Sequence, residues 1–152
     1  MNAAAKLPIA TVFVSRLVGL DLLASDGAAV GRVVDAVIGY PAPDVAPPVL
    51  GFVAEVQRRQ IFVNANRVSE LDTTGARLVS GTVDLRRFKL RKGEALAKRD
   101  LFDKRVGREI VNDIALGPTP GGARSWEVVG VSLATTGVLR RRRDRKLSGW
   151  DV

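Results

Sequence analysis

The residues most informative about the architecture are 17–37, which read LVGLDLLASDGAAVGRVVDAV. Two apolar runs, at residues 18–23 and 30–38, flank Ser25-Asp26-Gly27. An Asp-Gly pair between runs rich in β-branched residues is a strong hairpin signal, because glycine tolerates the positive φ that a tight turn requires. We therefore predict two antiparallel strands joined at Asp26-Gly27.

The same alternation of strands and turns continues to residue 80. Four prolines, at positions 41, 43, 47 and 48, predict an extended loop, because proline suits neither a helix interior nor a central strand. Alternating apolar residues from Leu50 to Val56 predict the next strand. Three further strands are expected after short turns: residues 60–63, 68–71 and 77–80. Five or six short strands in about 70 residues predict a mainly β fold and a small closed barrel.

The second half of the chain resembles a shortened repeat of the first. The elements that match are Leu17 with Leu96, Asp21-Leu22 with Asp100-Leu101, and Val30-Gly31-Arg32 with Val106-Gly107-Arg108. Each series leads into an apolar strand that contains an aspartate, Asp35 or Asp113. The glycine precedes this aspartate by four residues in one series and by six in the other, so the pattern indicates a degenerate duplication. We expect a helical turn or two within residues 94–103 and a core-anchoring role for Trp126.

Several classes of chemistry are excluded by composition. The chain has no Cys and no His, so it lacks disulfides, thiolate nucleophiles, imidazole bases and the usual zinc ligands. Four aspartates are candidate ligands of a hard cation, Asp21, Asp26, Asp35 and Asp113, but turn and backbone hydrogen bonds explain their positions better. The glycines at 27 and 31 join two strands, so no helix N-terminus is available for phosphate. We expect no catalytic residue, no cofactor-binding residue and no metal ligand.

The formal net charge of +8 is unevenly distributed. Residues 86–108 carry 10 basic and 3 acidic side chains, and residues 140–152 carry 6 and 2. The rest of the chain is close to neutral. Phe88 is expected to face the core, with basic side chains on the opposite, solvated face. The candidate binding residues for an acidic protein partner or, alternatively, a nucleic acid are Arg86, Arg87, Lys89, Arg91 and Lys92.

Residues 17–23 (LVGLDLL), 26–27 (DG) and 30–37 (VGRVVDAV) resemble the core of the PRC-barrel family. Members carry this motif, a variable loop and a strand pair, which here falls at residues 49–56 and 60–63. The resemblance spans about residues 13–81 and implies a small β-barrel. A PRC-type barrel also occurs in a ribosome maturation factor, which supports RNA as the alternative partner.

A resemblance over the whole chain rests on residues 13–17 (FVSRL), residues 81–88 (GTVDLRRF), the Trp126 strand and the Arg-rich run that ends in GWDV. These features resemble the N-terminal module of actinobacterial proteins. In these proteins, a domain similar to the cytoplasmic N domain of MgtE-type magnesium transporters follows, and then paired cystathionine-β-synthase (CBS) domains. The resemblance implies a regulatory or adaptor region associated with magnesium transport, with Mg²⁺ bound only in the downstream domains.

The expected organisation follows from these patterns. Residues 1–12 form an N-terminal extension, 13–81 a PRC-barrel-like domain and 82–139 a second β-rich half. Residues 140–152 are an Arg-rich linker toward a further domain of a longer natural chain. The longest uncharged run, residues 128–139, is 12 residues long and thus shorter than the roughly 18 that a membrane helix needs. We expect a cytoplasmic module, at the cytoplasmic face of the membrane, that binds its own downstream domains, a protein partner or a second copy of itself.

Overall fold

The structure is a computed structural model. It describes residues 11–40, 42–80, 82–121 and 125–135 with their side chains, and residues 145–148 by their backbone alone. The fold is mainly β, with a nearly closed, barrel-shaped sheet, which confirms the predicted class. Within the described ranges, no helix is long and apolar enough to cross a membrane.

The described elements follow one another along the chain with short connections. They are β1 (Val12–Phe13), α1 (Val14–Leu17), β2 (Asp21–Leu23), β3 (Ala29–Gly39), β4 (Pro48–Val56), β5 (Arg59–Asn64), a 3-10 helix (Ala65–Arg67), β6 (Val68–Asp72), β7 (Gly75–Leu78), β8 (Glu94–Leu96), a π-helix (Ala97–Leu101), β9 (Arg105–Val106), β10 (Glu109–Pro118), β11 (Trp126–Thr135) and β12 (Arg145–Ser148).

All described strands belong to one sheet. Its main path runs β1-β10-β11-β4-β3-β2-β7-β6, while β5 pairs with β4, β8 with β3, β9 with β10 and β12 with β11. The pairing of β2 with β7 is parallel. The β2–β3 hairpin turns at Asp26-Gly27 as predicted, with Asp26 Oδ1 accepting the Ala28 N–H at 3.0 Å. Gln57 and Arg58 take φ values of 51° and 64°, the type I′ geometry that suits the twist of the β4–β5 hairpin.

The structure corrects one sequence-based expectation and shows two further local features. The first described strand is Val12–Phe13, and a helical turn follows at Val14–Leu17, where Asp113 accepts the Ser15 backbone N–H. Residues 83–90 form no strand and join the sheet through an isolated bridge between Ile61 and Arg87. Residues 145–148 of the expected linker form β12, paired with β11. Residues 1–10, 140–144 and 149–152, on which the other terminal expectations rest, lie outside the described residues.

The two halves share one pairing pattern. Asp35 pairs with Val53 and Asp113 with Ser132, and in each half the aspartate-bearing strand has one extra residue directly before the aspartate. Gly51 and Gly130 occupy matching positions, opposite Val37 and Ala115. The halves meet where β11 pairs with β4: Trp126 lies opposite Val49, and the Val128 N–H donates to the Pro47 carbonyl at 2.9 Å. The register thus shows a structural repeat.

This register corrects the alignment of the repeat that the sequence motifs indicated. Arg105 pairs with Ile110 as Asp21 pairs with Arg32, so Arg105-Val106 matches Asp21-Leu22 rather than residues 29–30. The two alignments differ because the turns differ in length. Residues 24–28 join β2 to β3, whereas only Gly107-Arg108 join β9 to β10. The two aspartates do correspond.

One hydrophobic core spans both halves. Its buried members include Leu17, Leu22 and Phe52 from the first half and Ile114 and Leu116 from the second. Trp126, 6% exposed, anchors this core as expected, and its Nε1–H donates to the Val68 carbonyl at 3.4 Å. A smaller cluster covers another face of the sheet and consists of Val37, Val53 and Leu96, with Val34, Leu50, Phe62 and Phe88 packed against them.

Candidate functional site

A broad groove of about 1020 Å³ lies beside the β4–β5 hairpin, between the segment 84–91 and the start of β11. It brings together four of the five basic residues predicted from the sequence: Arg86, Arg87, Lys89 and Arg91. The fifth, Lys92, is exposed next to it but does not line it. We call this surface the basic groove.

The segment that carries these charges is held in place by the edge of β5. The Phe88 N–H donates to the Gln60 carbonyl at 2.8 Å, and Arg87 forms the backbone bridge with Ile61. The Phe88 ring stacks on Phe62, with the ring centroids 6.2 Å apart and the planes inclined by 23°. Phe88 packs against the smaller apolar cluster, in line with the prediction that it faces inward, but it is only half-buried. It also lines the groove together with its exposed basic neighbours.

The charges along the groove differ in how far they are neutralised. Arg86 donates from Nε and Nη2 to Asp84 Oδ2, at 2.8 and 2.6 Å. This contact lowers the pKa of Asp84 and raises the pKa of Arg86. The Arg91 backbone N–H donates to Glu94 Oε1 at 2.8 Å. Arg87 and Lys89 form no ion pair within the described residues and are exposed.

The aromatic rings of the groove are largely used for packing. Trp126 is 6% exposed, and its indole nitrogen is engaged with Val68. Phe62 and Phe88 are half-buried and stack on each other, so one face of each ring is covered. Stacking of single-stranded bases requires open ring faces. The groove therefore offers positive charge with little aromatic platform.

The two buried carboxylates brace the halves of the molecule against each other. Asp35, on β3, accepts the backbone N–H groups of Ala36, Lys98 and Arg99 at 2.8, 2.7 and 3.0 Å. It thereby holds the first turn of the π-helix of the second half. Asp113, on β10, accepts the backbone N–H groups of Ile114 and Ser15 at 2.9 and 3.1 Å, and it also binds the Ser15 hydroxyl. It thereby holds α1 of the first half.

The hydrogen bonds of the aspartates also bear on the hypothesis that they bind a metal ion. Both carboxyl oxygens of Asp35 accept backbone N–H groups, while Asp26 stabilises its turn and Asp21 is exposed on β2. Within the part of the chain that the structure describes, no three carboxylates lie close enough to hold a metal ion. The predicted backbone hydrogen bonds of Asp35 and Asp113 are confirmed, and they reach helical turns of the opposite half.

A second, almost wholly apolar cavity of about 250 Å³ lies next to β9, where residues 38–40 and Pro47 of the first half meet the second half. Tyr40, 73% exposed, and Val106, 42% exposed, are at this cavity. Sequence reasoning missed both residues as surface features. No local signal marks Val106 as exposed, because its counterpart in the first half, Leu22, is fully buried.

No protein-family model matches this chain, and no curated protein matches it significantly. The resemblance to PRC barrels and to magnesium-transporter modules stays a prediction.

Proposed function

We propose that this protein is a non-catalytic interaction module that binds an acidic segment of a partner protein in the basic groove. The observation that carries the proposal is the placement of Arg87 and Lys89. Both are exposed, lack an ion-pair partner among the described side chains, and lie on a segment fixed by the Phe88 backbone and ring. Because the backbone that carries these charges is already ordered, binding has to order only their side chains, and the charges can select an acidic partner.

The hydrogen bonds of Asp35 and Asp113 argue against a catalytic role for these two buried carboxylates. A general base needs a lone pair directed at a substrate proton. The oxygens of Asp35 are occupied by backbone N–H groups, and those of Asp113 by Ser15 and Ile114. Their positions are explained by their role in joining the two halves.

Nucleic acid is the second candidate, and the cluster of cations in the groove favours it. Phosphate contacts need only positive charge, so a single-stranded RNA could bind there with a steep dependence on salt concentration. The stacked and half-buried rings weigh against this candidate, because they leave little surface for bases.

The sequence resemblance suggests where such a module works. The acidic partner segment would belong to a domain of a magnesium-transport protein of the MgtE type with CBS domains, and the module would act as an adaptor or regulator at the cytoplasmic face of the membrane. In this proposal Mg²⁺ binds to the transport protein and not to the groove.

The test compares two triple variants of equal charge change. Arg87→Glu, Lys89→Glu and Arg91→Glu reverse the groove, whereas Arg16→Glu, Arg32→Glu and Arg58→Glu reverse exposed cations that do not line it. The probes are a fluorescein-labelled poly-glutamate peptide and a fluorescein-labelled oligouridine, each titrated at low and high salt concentration.

We expect the groove variant to bind the acidic peptide at least about tenfold more weakly than the control variant, because three rim charge pairs are replaced by repulsion. Tighter binding of oligouridine, lost in the groove variant alone, would replace the proposal with the RNA alternative. Equal peptide affinities of the two variants would contradict both.

A further inference from the structure

Strand β9 is the place where the two halves of the molecule differ most. In the first half, β7 pairs in parallel with β2, with Asp21 opposite Gly75 and Leu22 opposite Ala76, and β6 pairs with β7 in turn. In the second half β9 pairs with β10, and no other strand of the described chain pairs with it. The edge of β9 that corresponds to the β7 side of β2 is thus open within the described structure.

The side chains beneath this edge show the consequence. Leu22 and Phe52 are fully buried, whereas their counterparts in the second half are more accessible: Val106 is 42% exposed and Val131 is half-buried. The apolar cavity of about 250 Å³ lies at this point, and its lining includes Leu101, Val106, Val111, Ile114, Val128 and Val131. It corresponds to the part of the first-half core that β6 and β7 close.

We propose that the edge of β9 and this apolar cavity form a docking site for an extended strand of a partner protein, added in parallel as β7 is added to β2. Strand addition to a sheet edge supplies backbone hydrogen bonds, and a neighbouring pocket that takes alternate side chains supplies specificity. This site shares no lining residue with the basic groove, so the inference goes beyond the proposed function and does not depend on it.

The first-half register defines the residues that the partner strand needs. Gly75 has a φ of 134°, and a Cβ there would overlap the Asp21 carbonyl oxygen, so the residue opposite Arg105 must be glycine. The residue that corresponds to Ala76, which is fully buried, must be small and apolar. Two positions later, a leucine equivalent to Leu78 would fill the cavity.

The charge of the site defines the residue between these two apolar positions. In the first half this position is Arg77, and the neighbouring strand β2 carries a carboxylate, Asp21. In the second half the counterpart of Asp21 is Arg105, and residues 104–108 (KRVGR) carry three cations and no carboxylate. A partner strand therefore complements this site with Asp or Glu at the Arg77 position, in the pattern Gly, small apolar, acidic, Leu.

The experiment uses the full chain and two fluorescein-labelled peptides that copy residues 68–80 of this protein, one as in the sequence and one with Arg77→Glu. We expect the Arg77→Glu peptide to bind at least about tenfold more tightly than the unmodified peptide, because its glutamate meets Arg105 and Arg108. In the chain, Val106→Asp should weaken this binding at least about tenfold, since it places a carboxylate at the apolar cavity. The exposed position of Val106 makes this variant compatible with folding, which circular dichroism would verify.

A charge-swap variant, Arg105→Glu with Arg108→Glu, should reverse the preference, so that the unmodified peptide binds more tightly. The groove variant, Arg87→Glu with Lys89→Glu and Arg91→Glu, should bind the Arg77→Glu peptide as the parent chain does. Failure of both peptides to bind, or binding that is insensitive to Val106→Asp or to the charge swap, would overturn the inference. Loss of binding in the groove variant alone would assign the peptide to the basic groove instead.

Discussion

Asp35 and Asp113 occupy equivalent positions in the two halves but have different hydrogen-bond donors. Both accept the N–H of the next residue and hold a helical turn of the other half. Asp35 uses its two oxygens for three backbone N–H groups, whereas Asp113 binds one hydroxyl, that of Ser15, in place of the third. A hydroxyl can accept as well as donate, but a backbone N–H can only donate. Substitution by asparagine should therefore change the stability of the protein by different amounts at the two positions.

We expect Asp35→Asn to lower the free energy of unfolding by about 2 kcal/mol, because the new NH₂ group would face a backbone N–H and leave it without an acceptor. Asp113→Asn should cost less, about 1 kcal/mol, since the Ser15 hydroxyl can rotate to accept from the amide. Urea denaturation followed by circular dichroism measures both values. The exposed Asp44→Asn change serves as the control, and equal losses at positions 35 and 113 would contradict this account.

Local preference and tertiary context compete in several elements. Residues 12–18 (VFVSRLV) are rich in β-branched side chains, which favour a strand. Val14–Leu17 nevertheless forms a helical turn, because Asp113 accepts the Ser15 N–H across 98 residues of sequence. The segment 83–90 also forms no ladder, and it is held by the Phe88 contacts with Gln60 and Phe62.

The parallel pairing of β7 with β2 depends on Gly75. We expect Gly75→Ala to lower the free energy of unfolding by about 3 kcal/mol or more, because the Cβ would overlap the Asp21 carbonyl oxygen in a backbone conformation that alanine rarely adopts. Gly93 also has a positive φ, 85°, but has open space around it. Gly93→Ala should therefore cost only about 1 kcal/mol. Thermal or urea unfolding of both variants checks this, and a Gly75→Ala variant as stable as Gly93→Ala would refute the pairing.

The two halves form one packing unit. Buried residues of both belong to a single hydrophobic cluster, Asp35 and Asp113 join the halves in both directions, and Trp126 of the second half donates to Val68 of the first. A repeat whose units share a core in this way has no internal plane along which one half can open independently.

We therefore expect a single cooperative unfolding transition. In a Trp150→Phe variant, the fluorescence of Trp126 and the far-ultraviolet circular dichroism signal should follow the same urea curve, as two-state unfolding requires. Two separated transitions, with the Trp126 signal changing in only one of them, would show that the halves unfold separately.

Much of the fold could be predicted from the sequence, and the candidate site in part. The β2–β3 hairpin, the strands after the proline-rich loop, the inward packing of Phe88 and the exposed basic segment follow from local patterns. The β9 edge was missed, because Val106 has the same local signature as a buried strand residue. Only the lack of a β7-like partner within the described residues makes it accessible.

Short-range rules thus account for the β class, the turn positions and the separation of a neutral barrel from a basic segment, since alternation, proline and Asp-Gly turns act over a few residues. Tertiary structure alone established the roles of Asp35 and Asp113, the true alignment of the repeat, β12 and the open edge. These features depend on contacts between residues far apart in the chain, 63 residues for Asp35 with Lys98 and 98 for Ser15 with Asp113. No local pattern specifies which N–H a carboxylate will meet, because the closure of the sheet brings those groups together.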